Sequence, residues 1–170
     1  MDCILDNKNG KYTLLDKAKP YIISCIISLG VGALSAFITR EDMMLYKDIQ
    51  LPPLAPASIL FPIVWTVLYI LMGISAAMIY VRRCEARSLS QDALFTYASS
   101  LVINFAWSII FFKLRAFLLA FIWLILLLAF IVKTIIYYFK LYKPAAYLQI
   151  PYLLWVIFAG YLNLAIYILN

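Results

Sequence analysis

Residues 116–139 read AFLLAFIWLILLLAFIVKTIIYYF, and Lys133 is the single charge among them. A helix needs about 20 apolar residues to cross roughly 30 Å of hydrocarbon, and this run is longer than that. Four further runs resemble it: Tyr21–Ile38, Ser58–Val81, Leu94–Phe112 and Ala145–Leu169, all without charge. Lipid offers no hydrogen bonds to backbone N–H and C=O, so each run must satisfy its own backbone as a helix. The expected fold class is an all-α membrane protein: five transmembrane helices in a single bundle, with a proline-rich loop between helices 1 and 2. Residues 1–20 form a polar N-terminal lead, and residues 21–170 form the five-helix domain.

Composition agrees with this reading. Hydrophobic residues make up 66% and charged residues 13%, whereas soluble domains carry about 45–50% and about 25%. The net charge of +6 comes from basic residues at helix ends, which points to topology and lipid headgroups rather than nucleic acid. Tyr21–Ile38 has an apolar core longer than the ~7–15 residues of a cleaved signal peptide, so it reads as a retained span. The chain has no histidine. That excludes His-ligated haem and Ser–His or Cys–His catalysis, and no metal site or cofactor is expected. Cys3, Cys25 and Cys84 are scattered and odd in number, which reads as free thiols.

The connections carry the next layer of information. Pro20 suits the first turn of span one, where a missing N–H is tolerated. Gly32/Ala36 and Gly73/Ala77 are small-xxx-small pairs that let helices approach closely, either within the chain or at a dimer seam. The longest connection, residues 39–57, contains Leu51-Pro-Pro-Leu-Ala-Pro56-Ala57. Its prolines forbid regular helix and favour a stiff, extended path that can lie as a lid over the bundle. Residues 82–93, 113–115 and 140–144 are short and predict antiparallel neighbours. Nine Lys/Arg share the N-terminal face and four the opposite one, which predicts the N-terminus inside and the C-terminus outside. Lys133 reads as a snorkelling side chain that reaches the headgroups near Lys140, with a functional charge as the alternative.

Asn104, Gln149 and Asn163 are amides within spans. The plain expectation is interhelical hydrogen bonding, and the functional alternative is a cavity-facing amide. Tyr80, Tyr137, Tyr138, Tyr142 and Tyr147 lie near span ends and read as an interfacial belt. Trp65, Trp107 and Trp155 lie deeper, where an indole N–H needs a partner or a polar ligand. Flat aromatic walls suit flat apolar ligands. Asp and Glu are confined to helix ends and loops, which argues against an ion-driven transporter.

Four segments carry a family resemblance. Phe61-Pro-Ile-Val-Trp65-Thr-Val-Leu-Tyr69-Ile-Leu-Met-Gly73 resembles the second helix of the TspO/MBR family, the tryptophan-rich sensory proteins and translocator proteins. Leu51-Pro-Pro-Leu-Ala-Pro56 resembles that family's first loop. Asn104-Phe-Ala-Trp107-Ser-Ile-Ile-Phe111-Phe112 resembles its third helix, and Pro151-Tyr-Leu-Leu-Trp155-Val-Ile-Phe-Ala159-Gly-Tyr-Leu-Asn163 its fifth. The similarity runs from about residue 21 to the end. It implies a ligand cavity beneath the first loop, with Trp65 and Trp155 at the positions of the cavity tryptophans. Tyr46, Pro56, Tyr69, Phe111, Ala159 and Leu162 match other positions around ligand. It also implies binding of porphyrins and related hydrophobic molecules, and a homodimer. Three features depart from the family: the loop tryptophan is missing, Trp123 stands where many members carry an acid, and no Lys or Arg follows Tyr161 or Tyr167 to complete a sterol pattern.

The function expected is an integral membrane receptor or carrier, multi-pass in the plasma membrane, that binds a porphyrin or another flat hydrophobic molecule. Trp65, Tyr69, Asn104, Trp107, Phe111 and Trp155 are its candidate cavity residues. The alternatives are light- and oxygen-dependent porphyrin degradation by Trp65 and Trp155, and a structural or regulatory membrane partner. Membrane lipids and a second copy are the expected partners, and nucleic acid is not.

Overall fold

The computed structural model describes residues 14–40 and 49–170. The chain forms α1 (Leu14–Thr39), α2 (Leu60–Val81), α3 (Arg87–Ser108), α4 (Phe117–Leu141), a short α5 (Lys143–Tyr147) and α6 (Ile150–Leu169). A π-helical turn, Ile109–Lys113, continues α3. Among the described residues, five spans are long and apolar enough to cross a membrane, with α5 and α6 together making the fifth. Large apolar side chains such as Ile26, Ile63, Val102, Ile122 and Leu154 point outward. This is the pattern expected when lipid rather than water is the solvent.

Boundaries differ from the sequence expectation in three places. The first helix begins at Leu14, so Pro20 lies inside it and not in its first turn. Proline has no N–H for the intrahelical ladder, a loss tolerated close to an exposed helix end. The third helix starts at Arg87, because the polar run Ser88–Asp92 continues the helix above the hydrocarbon. The fifth span is broken at Leu148 and Gln149. Pro151 cannot donate to Tyr147, and the backbone closes instead through Gln149 N to Ala146 O at 3.0 Å.

The helices close a ring in the order α1, α2, fifth span, α4, α3. The tightest pair is α1 and α2, although the longest connection joins them. The short link from α2 to α3 leaves those helices in light contact, contrary to the expectation that brevity makes close neighbours. Glycine explains the difference. A Cβ on Gly73 would lie 2.7 Å from Cys25 Cα, and one on Gly32 would run into the Tyr69 ring. Both glycines thus serve packing within the chain. Met72, Leu124, Leu127, Ile131, Val156 and Ile166 fill the core.

Buried amides knit the spans. Gln149 Nε2 donates to Ser75 Oγ at 2.6 Å, tying the fifth span to α2. Trp123 Nε1 donates to the Ile103 carbonyl at 2.9 Å, tying α4 to α3. Tyr138 is fully buried, which removes it from the interfacial belt; its place in α4 turns it toward the core. Tyr142 lies under Arg82, with the guanidinium carbon 3.6 Å from its ring centroid. Lys133 is exposed, its ammonium 5.7 Å from the Tyr137 ring centroid one turn nearer Lys140. The free-thiol reading is corrected at Cys84, which is disulfide-bonded. Pairing depends on proximity at the membrane face, which spacing along the chain does not report. Cys25 is free, and Cys3 lies outside the described residues.

The helix seam yields a contrast. Gly73→Val should destabilise the fold by about 1–3 kcal/mol through overpacking against backbone. Gly30→Ala should be neutral or slightly stabilising, since nothing lies within 4 Å of its added methyl. Thermal unfolding of both variants in detergent, followed by circular dichroism, measures the difference. Equal midpoints would contradict the seam.

Candidate functional site

The C-terminal turns of α1 face an internal space. Gly32, Ser35, Ala36 and Thr39 of α1 form one wall of a cavity of about 100 Å³. Phe61, Pro62, Trp65 and Tyr69 of α2 form the second wall, and Trp107, Ser108 and Phe112 of α3 and its π turn form the third. All these residues lie at the end of the bundle that carries the 40–59 connection. The π turn matters locally. Its wider i→i+5 register re-aims the side chains that follow Ser108, and Phe112 reaches the cavity.

Trp65 is the hub of the aromatic cluster. Its ring stacks on Tyr69 (5.6 Å between centroids), tilts against Trp107 (6.2 Å) and meets Tyr152 edge-on (6.2 Å). Trp107 stacks in turn on Phe111 at 5.7 Å. Hydrogen bonds lock the rear of the cluster. Asn104 Nδ2 donates to the Tyr69 hydroxyl at 2.9 Å, and Trp107 Nε1 points at Asn163 Oδ1, 3.4 Å away. Trp65 itself is only half-buried, so one part of its surface stays available to a ligand. Three buried polar atoms one contact behind the lining have no partner among the described residues: Asn104 Oδ1, Tyr152 Oη and Trp155 Nε1. Buried polar atoms in this state gain when a ligand supplies a hydrogen bond.

The sequence candidates therefore divide by position. Trp65, Tyr69 and Trp107 line the cavity. Asn104 and Phe111 stand directly behind it. Trp155, on the fifth span, packs against Phe61 (5.9 Å) and Phe158 (5.7 Å), while Trp65 has Trp107 as its indole neighbour. Ala159 and Leu162 are buried on the same span, and Ala159 accepts a 2.8 Å bond from Asn163 Nδ2. Pro56 is half-buried in the loop. Tyr46 lies outside the described residues. As cavity lining, sequence reasoning passed over Gly32, Ser35, Thr39 and Phe112. A signal for the first three was present: Ser28, Ser35 and Thr39 recur at helical spacing on one face of an otherwise apolar span. Phe112 carried no such signal, because an α-helical register does not contain the π turn.

The proline loop is anchored to the fifth span. Tyr161 Oη donates to the Pro53 carbonyl at 2.9 Å. Asn170 grips Gln50 twice, accepting from its N–H at 2.9 Å and donating to its carbonyl at 3.1 Å. Around the Pro53 anchor Ala55 N bonds Pro52 O at 3.1 Å, with Pro53 and Leu54 at the turn's centre. Leu54 has φ 71°, a left-handed conformation that glycine usually occupies.

Fold and site together define a polytopic helical membrane protein with an internal cavity walled by aromatic side chains. The chain belongs to the TspO/MBR family, whose model matches residues 23–169. It is 36% identical to a tryptophan-rich protein TspO of Chlorobaculum tepidum over 86% of this chain and 93% of the relative. It is 33% identical to another of Archaeoglobus fulgidus, over 88% and 95%. It is 36% identical to the translocator protein of Bos taurus, over 80% of each chain.

The anchors can be tested directly. Tyr161→Phe combined with Asn170→Ala should raise hydrogen–deuterium exchange across residues 49–57 while leaving the helices protected. Unchanged exchange in that segment would show that other contacts hold the loop.

Proposed function

We propose that this protein is a membrane receptor or carrier that binds a flat hydrophobic molecule, a porphyrin by preference, in the cavity walled by Trp65. The observation that carries this reading is the half-buried Trp65 indole at the centre of the aromatic cluster, on the cavity's own wall. Stacking and apolar burial would supply the affinity. Asn104 Oδ1, Tyr152 Oη and Trp155 Nε1, buried behind the lining, would come within reach of the polar edge of the ring once the bundle end opens. Relatives named translocator protein and tryptophan-rich sensory protein support a carrier or sensor role. In this reading the protein sits in the plasma membrane with its N-terminus inside and pairs as a homodimer.

The cavity constrains how such a ligand enters. At about 100 Å³ it is smaller than the roughly 300–1,000 Å³ that drug-sized ligands occupy. Binding therefore requires the bundle end to open, and release of the Pro53 and Gln50 anchors is the available movement. Affinity would then include the cost of breaking those contacts.

Titration of the detergent-solubilised protein with protoporphyrin IX, read by tryptophan quenching, tests the proposal. Trp65→Leu should weaken binding by about two- to twelvefold, since an aromatic pair is worth about 0.5–1.5 kcal/mol beyond its burial. Trp123→Phe, remote from the cavity, should leave affinity unchanged. Equal affinity for Trp65→Leu and the parent protein would exclude this site.

A further inference from the structure

A second cavity, of about 350 Å³, lies at the opposite end of the bundle from Trp65. Pro20 and Ile27 of α1, Ala76 and Tyr80 of α2, and Tyr97 and Leu101 of α3 wall it. It exists because the two tight seams draw its walls apart. Gly73 presses α2 onto α1, while α3 is drawn to α4. Ser28 Oγ and Tyr97 Oη, 2.7 Å apart, bridge α1 to α3 beside it and satisfy the buried hydroxyls. What remains is an apolar groove. Ile27 and Ala98 on its rim are exposed, so it opens toward the surrounding hydrocarbon.

The membrane-surface end of the groove is basic. The Arg83 guanidinium carbon sits 4.0 Å from the centroid of the Tyr80 ring, and Arg83 Nη1 donates to the Tyr80 carbonyl at 2.9 Å. Tyr80, itself a wall of the groove, thereby holds the guanidinium against its own ring. Lys17 and Lys19 precede Pro20 by less than one turn, and Arg87 lies two turns before Leu94 on the same face of α3. Among the described residues, this end of the bundle carries Lys17, Lys19, Arg82, Arg83, Arg87, Lys140 and Lys143 against Asp16, Glu85 and Asp92. An apolar slot open to lipid beneath an oriented guanidinium matches one chemistry: an acyl chain attached to a phosphate.

We propose that this groove binds an anionic phospholipid, one acyl chain lying between α1 and α3 and its phosphate on Arg83. Arginine presents a planar fork of N–H donors suited to phosphate oxygens. The surplus of positive charge at the rim favours an anionic over a zwitterionic headgroup. The site is separate from the Trp65 cavity and does not depend on the function proposed for it.

Native mass spectrometry of the full chain, exchanged into micelles with equimolar phosphatidylglycerol and phosphatidylcholine, tests this. The parent protein should retain one phosphatidylglycerol in preference to phosphatidylcholine. Arg83→Gln should reduce that retention about fivefold, the loss expected for one basic residue at a membrane surface. Ala98→Trp, which fills the groove from its exposed rim, should release the lipid while Arg83 stays in place. Ile27→Trp repeats the block from the α1 side should Ala98→Trp fail to fold, with helicity and thermal midpoint as the check on folding. Equal retention of the two lipids overturns the proposal. So does retention that survives both tryptophan blocks, which would place the lipid on the basic surface alone. Lipid-free dimers that Ala98→Trp dissociates would also overturn it, by assigning the groove to a second copy of this chain.

Discussion

Inside hydrocarbon a backbone amide without a partner costs several kcal/mol, and water is not there to provide one. Every larger feature of this protein depends on that constraint. It forces five apolar runs into helix, and it confines the irregular backbone of residues 49–59 to the end of the bundle. It also governs the side chains. Several buried amides and hydroxyls are paired across helices, as in Gln149 with Ser75, Asn104 Nδ2 with Tyr69 and Ser28 with Tyr97. Such bonds bring little net stability each in a membrane, but they specify which helix faces which.

Against this uniform constraint, close packing is uneven, and the unevenness makes the cavities. Gly73 lets α1 and α2 meet at backbone distance, and α3 keeps to α4 through contacts that include Trp123. The space between these two pairs is filled by large rings at one end and left as a groove at the other. At the ring-filled end, Trp65 can be both structural and available, because Tyr69, Trp107 and Tyr152 support it on separate sides. Behind the cavity lining stand three buried polar atoms without a partner among the described residues. In the proposed reading such a site would orient a ligand by shape and a few hydrogen bonds, with no charged group in its lining.

Much of the fold was legible because lipid simplifies the code. Length and apolarity alone identify a span, and all five were found this way, with starts misjudged by about two turns where polar sequence remained helical, as at Leu14 and Arg87. Three of the cavity residues, Trp65, Tyr69 and Trp107, were also readable, since deep aromatics in a family-like order are a strong pattern. The α1 wall was less visible. Its members are small, and smallness records close approach without saying to what. Gly32 illustrates this: the same residue suits a dimer seam or an internal contact, and only the position of the Tyr69 ring separates them.

Sequence by itself determined the solvent, the helical class, the number of spans and the aromatic supply, because each follows from local composition and the energy of unpaired backbone in lipid. Tertiary structure alone decided the order of helices around the ring, the pairing of Trp65 with Trp107 while Trp155 turns to Phe61, and the grip of Tyr161 and Asn170 on the loop. Those outcomes rest on contacts between residues distant in the chain. A period of 3.6 residues says which side chains share a face, and it leaves open which neighbour that face will meet.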